Sequence, residues 1–417
     1  MDMKSVWINE AKGLDDADDL REFRERFAFP VLNGKRAIYL TGNSLGLQPK
    51  SAQIFVDEEL EDWRTWGVEG HMHSRRPWYS YHHQFKEPLA QLVGAKPEEV
   101  VAMNSLTVNL HLMLASFYKP TSTRYKIIIA ANEFPSDRYA VASQIKWHGF
   151  NPGDALIEVD ATDDDEVLQH IHRHADSVAL VLFSGVHFYS GRYFDLASIA
   201  RVAHEVGAIV GFDLAHAIGN VELSLHNWNA DFAVWCSYKY LNSGPGGVGG
   251  AFVHERHHSD TNLIRLAGWW GNDEDTRFDM QHDFIPVKGA DSWQLSNAPV
   301  LAMAAHKAAL DVFTEAGMQR ISKKRDALTG FAENIILQIF NNNANVRILT
   351  PREKSRRGAQ LSLQFDSNGR EIFDTLMANN IIADWRNPDV IRIAPAPLYN
   401  TFADAATFGA ILTDAMK

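Results

Sequence analysis

Short apolar runs alternate with helical segments through the middle of this chain, and this alternation limits its fold more than any other feature. Four runs rich in Ile, Val and Phe have the length of buried strands, at 125–130, 178–183, 208–212 and 232–236. Between the second and third, residues 196–206 have apolar side chains at helical spacing and end before Gly207. The pattern predicts an α/β fold with a mostly parallel sheet flanked by helices. Ligands of such sheets bind beyond the carboxyl ends of the strands.

The pattern changes beyond about residue 298. A long helical stretch is predicted from Val300 to Phe340, with a loop at 341–345. The residues that follow predict a smaller α+β unit, with alternation at 360–365, a helix at 371–377 and a strand at 390–394. We therefore predict three parts, an N-terminal arm at 1–60 that contributes to the small domain, a large ligand-binding domain at 61–300 and a small C-terminal domain at 301–417.

Composition and charge exclude several classes of protein. The net charge of −12 repels polyanions, so nucleic acid is not an expected partner. The one cysteine, Cys236, cannot form an intramolecular disulfide or a cysteine-based metal centre. No run approaches the roughly 18 apolar residues that span a bilayer, and the first residues do not resemble a secretion leader. We expect a soluble, cytoplasmic protein that acts on a small molecule.

An acidic residue and a lysine follow neighbouring predicted strands. Asp213 ends the third apolar run, and Lys239 comes shortly after the fourth, before the glycine-rich segment 244–250. The two side chains are therefore expected at the same edge of the sheet. This pair suits pyridoxal 5′-phosphate (PLP), because a carboxylate can keep the pyridine nitrogen protonated while a lysine carries the cofactor and moves protons.

Each of these residues alone has an ordinary explanation. A lone lysine usually lies on the surface, and a lone aspartate can cap a helix or form a structural ion pair. The apolar run before Lys239 and the glycines after it argue against a surface position. Together, Asp213 and Lys239 favour cofactor chemistry.

Several segments that surround this pair resemble the kynureninase family of fold type I PLP enzymes. The strongest are residues 185–189, 211–223 and 235–242, and the stretch around Arg392 supports them, as do residues 41–47, 103–112, 134–137, 268–271 and 295–297. The resemblance spans about residues 40–397. It implies an aminotransferase-like fold, with a mostly parallel seven-stranded sheet in a large PLP-binding domain and a smaller α+β C-terminal domain. It also implies a homodimer with sites at the subunit interface.

The resemblance implies a set of cofactor-binding residues. They are Leu106, Thr107, Phe134, Asp137, Ser184, Asp213, His216, Tyr238, Lys239, Trp269 and Asn297. Within this set, Phe134 would stack on the pyridine ring, Asp137 would lie near the phosphate ester, and Lys239, Tyr238 and Asp213 would be catalytic. A second subunit would supply Trp269 and Asn297. Thr107 precedes a helical run, so it can serve both as a helix cap and as a phosphate ligand.

The resemblance also implies the residues that bind the substrate. These are Arg392, His71, Asn297, Ser296 and Asn43. Arg392 lies between apolar residues, where a guanidinium needs an anionic partner. That partner is either a substrate carboxylate, bound by two parallel hydrogen bonds, or an acidic side chain in a structural salt bridge.

The activity that the resemblance implies is hydrolysis of the Cβ–Cγ bond of L-kynurenine, which yields anthranilate and L-alanine in tryptophan catabolism. A preference for 3-hydroxykynurenine stays open. A desulfurase-like reaction is disfavoured, because it needs a mobile cysteine and Cys236 lies within a predicted strand. A non-catalytic PLP-binding regulator would be expected to lack Lys239, Asp213 or Arg392, and all three are present.

The 18 histidines raise the possibility of a metal hydrolase. His170 and His174 would share one face of a helix, as two zinc ligands can. No glutamate lies between them and Arg173 adjoins them, so we expect a solvated helix face. The pairs His82–His83 and His257–His258 are likewise interpreted as surface pairs, and no metal site is predicted.

Overall fold

The computed structural model describes residues 3–341, 343 and 345–417. Its strands are, in chain order, β1 (Phe27–Ala28), β2 (Val31–Leu32), β3 (Lys35–Arg36), β4 (Ile38–Tyr39), β5 (Gln48–Pro49), β6 (Val100–Ala102), β7 (Lys126–Ala130), β8 (Leu156–Val159), β9 (Val178–Ser184), β10 (Ile209–Asp213), β11 (Phe232–Trp235), β12 (Gly250–Val253), β13 (Val346–Ile348), β14 (Leu361–Phe365), β15 (Ile381–Ile382), β16 (Asp384–Arg386) and β17 (Val390–Ile393).

The α-helices lie before, between and after these strands. They are α1 (Met3–Asp16), α2 (Ser51–Trp66), α3 (Gly70–His73), α4 (Lys86–Val93), α5 (Leu106–Phe117), α6 (Pro135–Trp147), α7 (Pro152–Ala155), α8 (Asp164–Arg173), α9 (Leu196–Glu205), α10 (Val300–Ala316), α11 (Met318–Phe340), α12 (Gly369–Ala378) and α13 (Phe402–Ala415). Short 3₁₀ turns include Trp78–Phe85, Trp269–Gly271 and Ala290–Trp293.

A seven-stranded sheet forms the centre of the molecule, in the order β6-β12-β11-β10-β9-β7-β8. All its neighbouring strands are parallel except at β12, which is antiparallel to both β11 and β6. The register sets Asp213 beside Ser184 on one side and beside Val234 on the other. The predicted α/β class with a mostly parallel seven-stranded sheet is confirmed.

Both faces of this sheet are buried, as the continuous apolar runs predict. Along β9, Val181 and Phe183 pack into one hydrophobic core while Leu180 and Leu182 pack into another on the opposite face. Helices therefore cover both faces, and only the strand ends remain open for a ligand.

The C-terminal part forms a second, antiparallel sheet in the order β13-β14-β17-β16. The helical stretch predicted from Val300 to Phe340 is two helices, because the chain turns at Gly317, whose φ of +75° favours glycine. Of the loop predicted at 341–345, residues 342 and 344 lie outside the described residues.

The N-terminal segment packs with the C-terminal part. Trp7 of α1 and Phe402 of α13 share one hydrophobic core, and β4 pairs in parallel with β15. Asp15 accepts hydrogen bonds from the backbone N–H groups of Phe402 and Ala403, so a carboxylate from α1 caps the first turn of α13. The domain boundaries at 60 and 300 stay a prediction.

No helix within residues 3–341, 343 and 345–417 is long and apolar enough to cross a membrane.

Candidate active site

The carboxyl ends of β9, β10 and β11 form the floor of one cavity. Asp213 is the last residue of β10, and Lys239 lies four residues after β11, the parallel neighbour of β10. The residues that line the cavity are Leu106, Thr107, Glu133, Phe134, Ser136, Ser184, Val186, Phe188, Asp213, Ala215, His216, Tyr238 and Lys239. Apart from Asp137, Trp269 and Asn297, these include every cofactor-binding residue predicted from the sequence.

The segment around Gly46 packs against the backbone on either side of Lys239. The Gly46 N–H donates to the backbone carbonyl of Tyr238 at 2.8 Å. A Cβ atom at Gly46 would lie 2.4 Å from the carbonyl oxygen of Lys239 and 2.2 Å from Oδ1 of Asn242. A side chain at this position would therefore push the lysine segment out of place, so a glycine is required.

Two helix N-termini meet at one end of the cavity. Leu106 and Thr107 begin α5, whose first turn receives no hydrogen bond from its N-cap side chain. Thr107 Oγ1 lies 2.8 Å from Oγ of Ser136, in the first turn of α6. Free N–H groups and two hydroxyls at the starts of two helices make a site suited to a phosphate.

Three carboxyl groups gather at the acidic side of the cavity. Asp213 Oδ1 accepts a hydrogen bond from the backbone N–H of Ala215 at 2.7 Å. Burial, followed by the charge and hydrogen bond of Asp213, holds the pKa of Asp137 well above its ordinary value. Burial also raises the pKa of Glu133 to about 7, and the charge on Asp213 acts in the same direction. The cluster keeps protons on some of its members because adjacent buried carboxylates repel each other.

Asp137 belongs to this cluster as well. It follows Ser136 on α6, is buried, and its carboxyl group interacts with that of Asp213. The acidic side of the cavity therefore has more than the one carboxylate predicted. The place of Asp137 near the phosphate ester stays a prediction.

Aromatic rings and a neutral histidine complete the walls. The Nζ atom of Lys239 lies 5.7 Å from the centroid of the Phe134 ring and 5.9 Å from that of Tyr238. Burial, with the positive charge of Lys239 as the second cause, holds the pKa of His216 well below its ordinary value. Burial likewise raises the pKa of Tyr238. His216 is thus an uncharged ring and Tyr238 a protonated phenol at neutral pH.

The polar atoms of the cavity fit a pyridine cofactor that carries a phosphate. Ser184 Oγ and His216 Nδ1 are buried and have no hydrogen-bond partner among the described residues. Such atoms need a partner, and a polar cofactor ring in the cavity would supply one. The cavity thus brings together carboxyl groups for the ring nitrogen of PLP, a lysine for its aldehyde and two helix N-termini for its phosphate.

Arg392 lies behind the cavity and already has an acidic partner. The residue is almost completely buried, and its guanidinium forms an ion pair with Asp384. Its Nη1 donates to the backbone carbonyl of Phe188, a residue of the cavity wall. Of the two partners left open by the sequence, the structure thus contains the acidic side chain. The Nε atom has no hydrogen-bond partner within the described part of the chain and is still available.

Asn43 is connected to the same wall. Its Nδ2 donates to Oε1 of Gln360 at 2.9 Å, and Gln360 Nε2 donates to the carbonyl of Phe188 at 2.9 Å. The Oδ1 atom of Asn43 is buried without a partner among the described residues. Asn43, through Gln360, and Arg392 are therefore both connected to the cavity wall at Phe188.

Four other predicted residues lie away from the cavity. Trp269 is 40% exposed, and Ser296 and Asn297 are also exposed. His71 directs Nδ1 toward the carbonyl of Val68 at 2.9 Å and packs its ring against Trp78. None of the four lines the cavity formed within the described residues of this one chain.

Sequence reasoning missed Glu133, Ser136 and Phe188. Glu133 accepts hydrogen bonds from the N–H groups of Phe134 and Ser184, which bridges the ends of β7 and β9. The available signal was an acid just after a predicted strand, next to the segment 134–137. Phe188 lies within the segment 185–189, but nothing in the sequence indicated that its carbonyl would meet Arg392.

The structure also corrects the interpretation of the histidine pairs. His82 is buried, whereas His83 is exposed. His257 is half-buried and its Nε2 lies 2.7 Å from Oδ1 of Asp231. The sequence predicts surface positions for both pairs because their local sequence is strongly polar. A polar local sequence does not show which side chain turns inward. His170 on α8 and His174, the residue that follows this helix, are half-buried.

Proteins named kynureninase align with nearly the whole chain. The one from Flavobacterium psychrophilum is 49% identical over 409 residues, which are 96% of this chain and 96% of its own. The one from Xanthomonas oryzae pv. oryzae is 51% identical over 411 residues, 95% of this chain and 96% of its own. The chain belongs to the kynureninase family. A family model described as the kynureninase C-terminal domain matches residues 321–412, which agrees with this assignment.

Two further comparisons concern the fold that the kynureninase family shares with other enzymes. Residues 71–226 match the DegT/DnrJ/EryC1/StrS aminotransferase family. A cysteine desulfurase from Thermococcus onnurineus, solved in its apo form, superposes with a TM-score of 0.76 at 18% identity, covering 91% of this chain and 94% of its own. A mutant of C-DES with glycine covalently linked to its PLP cofactor gives the same TM-score at 16% identity, covering 91% and 96%. These likenesses confirm the fold predicted for this kynureninase-family chain.

Proposed function

We propose that this chain uses PLP to hydrolyse L-kynurenine to anthranilate and L-alanine. One observation carries the proposal. Lys239 and Asp213 come from neighbouring strand ends and line the same cavity, in a chain about half identical to kynureninases along nearly its full length. When bound, PLP supplies a conjugated cation that takes up the electrons released as bonds to the substrate's α- and β-carbons break.

Different residues around the cavity would hold different parts of this cofactor. The Lys239 amine would carry it covalently and then move the substrate's α-proton. Asp213 would keep the ring nitrogen protonated, and the carboxyl group of Asp137 interacts with Asp213. Leu106, Thr107 and Ser136 would hold the phosphate.

Substrate binding and hydrolysis follow from the remaining groups. Arg392 orients the substrate carboxylate through its free Nε, and Asp384 holds the guanidinium in place from the other side. Tyr238, a protonated phenol beside Lys239, is the candidate acid that delivers a proton to the departing carbon.

We further propose that the chain acts as a cytoplasmic homodimer in tryptophan catabolism. The exposure of Trp269, Ser296 and Asn297 supports a second subunit. These residues lie outside the cavity of their own chain, so a partner's cavity is where they would complete the binding of cofactor and substrate. His71 would reach the aromatic ring of the substrate.

A desulfurase-like reaction and a regulatory role are weaker alternatives. Cys236 is only 3% exposed, and burial raises the pKa of its thiol, so it is poorly suited to attack sulfur. Lys239, Asp213 and Arg392 are all present, which is not expected of a chain that only binds the cofactor.

The decisive experiment follows fluorescent product release from L-kynurenine and from 3-hydroxykynurenine with the purified, PLP-loaded protein. We expect anthranilate to appear and L-kynurenine to be the better substrate. Arg392→Ala should raise KM for either substrate through loss of the carboxylate contact. A yellow protein that releases neither product would overturn the proposal, and faster turnover of 3-hydroxykynurenine would correct the substrate.

A further inference from the structure

A second cluster of ionisable side chains lies outside the cofactor cavity. It joins the 3₁₀ turn Trp78–Phe85, which contains His82 and His83, to Glu274 in the segment after the turn Trp269–Gly271. His83 Nε2 lies 3.1 Å from Oε1 of Glu274, and His82 Nε2 lies 3.7 Å from the same oxygen. The three ligand-type atoms are therefore grouped around one point.

The buried histidine of this cluster lacks partners. His82 is 1% exposed, and neither of its ring nitrogens has a hydrogen-bond partner among the described residues. Its Nε2 is directed between two carboxylate oxygens, Glu274 Oε1 at 3.7 Å and Asp291 Oδ1 at 3.9 Å. These distances are too long for hydrogen bonds, and an unpartnered buried imidazole is unfavourable. A small cation bound by Glu274 and His83, which are already in hydrogen-bond contact with each other, would give His82 Nε2 the partner that it lacks.

The spacing agrees with a tetrahedral metal ion. Bonds of about 2.0–2.1 Å from Zn²⁺ to nitrogen and oxygen put neighbouring ligands about 3.3 Å apart. The separations of 3.1 and 3.7 Å at Glu274 are close to this value. The buried Nε2 atom of His82, which has no hydrogen-bond partner among the described residues, completes the group.

Nearby charges decide how strongly a cation can bind. Asp291 adds negative charge to the cluster, but its other oxygen forms an ion pair with Lys86. The positive charges of Lys86 and Arg277 also act on His82. Within the described residues, Glu274 forms no ion pair with a lysine or an arginine, and its partners are His82 and His83. The two histidines and Glu274 are thus the ligands, and Lys86 opposes binding.

In a comparable cluster of Glu99, His226 and His254, the atoms that face one another are already hydrogen-bonded. The Glu99 oxygens accept hydrogen bonds from the backbone N–H groups of Lys96 and Glu255. His254 Nδ1, the ring atom near Glu99, accepts a hydrogen bond from the N–H of Arg256. The protein itself thus supplies partners for the facing atoms of the Glu99 cluster.

We propose that His82, His83 and Glu274 form a binding site for a transition-metal dication such as Zn²⁺. A water molecule would take the fourth position, since the side chains of His83 and Glu274 are partly exposed. The site ties the turn Trp78–Phe85 to the segment that follows Trp269, where Tyr79 Oη already donates to the carbonyl of Glu274 at 2.8 Å. None of the three ligands lines the cofactor cavity, so the site is structural and separate from the proposed reaction.

The test is a zinc titration of the PLP-loaded protein after dialysis against a chelator. Calorimetry and metal analysis should give one bound Zn²⁺ per chain that is lost in the variants, together with a rise in Tm. His83→Gln and Glu274→Gln remove ligands that are not fully buried, so both variants should fold. Each should weaken binding by at least about 10- to 100-fold. Lys86→Gln should strengthen it by removing a like charge.

Two matched variants distinguish this site from other zinc ligands on the protein. His172→Gln removes an exposed histidine on α8, and His226→Gln alters the cluster of Glu99, His226 and His254. Both should bind zinc as the unmodified protein does. Binding that survives in His83→Gln and Glu274→Gln, or that is lost only in His226→Gln, would overturn the proposal, as would an absence of binding in the unmodified protein.

Discussion

Two regions contribute residues that the sequence assigned to one site, and they differ in how they are held. At the ends of β9 and β10, Ser184 and Asp213 are buried on adjacent strands, and Lys239 is half-buried four residues after β11. The segment from Trp269 to Asn297 instead exposes Trp269, Ser296 and Asn297. The sheet register alone can position the first group, whereas the second group needs something to pack against. One chain can therefore supply the chemical groups of the site, whereas enclosing the site depends on further contacts.

The largest effect is expected at the strand ends. Lys239→Ala removes the amine that carries the cofactor and moves the α-proton, so turnover should fall by about 10²- to 10⁴-fold. Release of anthranilate measures the loss, and the near-visible absorption band should no longer respond to borohydride. Lys146→Ala, at an exposed lysine on α6, is the matched control and should leave both readouts unchanged. Equal turnover in the two variants would remove the lysine from the mechanism.

The two aspartates on the acidic side of the cavity should differ in their effect on turnover. Asp213→Asn removes the charge that keeps the ring nitrogen protonated, and turnover should fall by about 10- to 1000-fold. Asp137 is already held in its neutral form, so Asp137→Asn should lower turnover by less than about tenfold. Steady-state kinetics measure both variants. The opposite order would mean that Asp137 is the charged partner of the ring.

Burial of Glu133 predicts how stability depends on pH. Its pKa is raised from 4.5 to about 7 in the folded chain, so the folded state binds more protons than the unfolded state between these values. The free energy of unfolding of the cofactor-free protein should therefore fall as pH rises through this window, by up to about 3 kcal/mol. Urea unfolding across pH 4.5 to 7 measures the slope. In Glu133→Gln, the part of this pH dependence that comes from Glu133 should be absent. If the free energy of unfolding changes with pH as steeply in this variant as in the unmodified protein, Glu133 is not its cause.

The smallest effect is expected in the exposed region. Trp269→Ala should lower activity by about 2- to 10-fold, the worth of one aromatic contact, without changing Tm. Mixed dimers of Lys239→Ala and Trp269→Ala subunits then test where the tryptophan acts. If a partner supplies it, the mixed dimer contains one complete site that works at the full rate. If the rate per intact Lys239 in the mixed dimer equals the rate of the Trp269→Ala protein, the tryptophan acts in the site of its own subunit. The exposed region would then not depend on a partner.

The strands that carry the site were predictable because they are buried on both faces. The run at 178–183 is β9 within one residue, and the runs at 208–212 and 232–236 agree equally well with β10 and β11. A strand in a parallel sheet must be apolar throughout, so its end is visible in the sequence as the first polar residue. That is why Asp213 and Ser184 could be assigned to the sheet edge.

Other features depended on contacts between distant segments. The helix predicted from Val300 to Phe340 divides at Gly317 because a glycine inside a helical pattern does not show whether the chain turns. The ion pair of Arg392 with Asp384 arises from adjacent antiparallel strands, whose pairing the sequence did not reveal. His82 is buried and His83 exposed although their local sequence is shared.

The sequence by itself determined the class of the protein, the edge of the sheet that holds the site and the lysine and aspartate that characterise it. Local periodicity and strand length carry that information, because each strand must bury its own side chains. The contacts between remote segments show that Asp137 and Glu133 are buried beside Asp213 with raised pKa values, that Arg392 already has an acidic partner, and that His82 faces Glu274. These are properties of charges brought together from remote parts of the chain, where burial and mutual repulsion, rather than residue type, determine which groups are ionised.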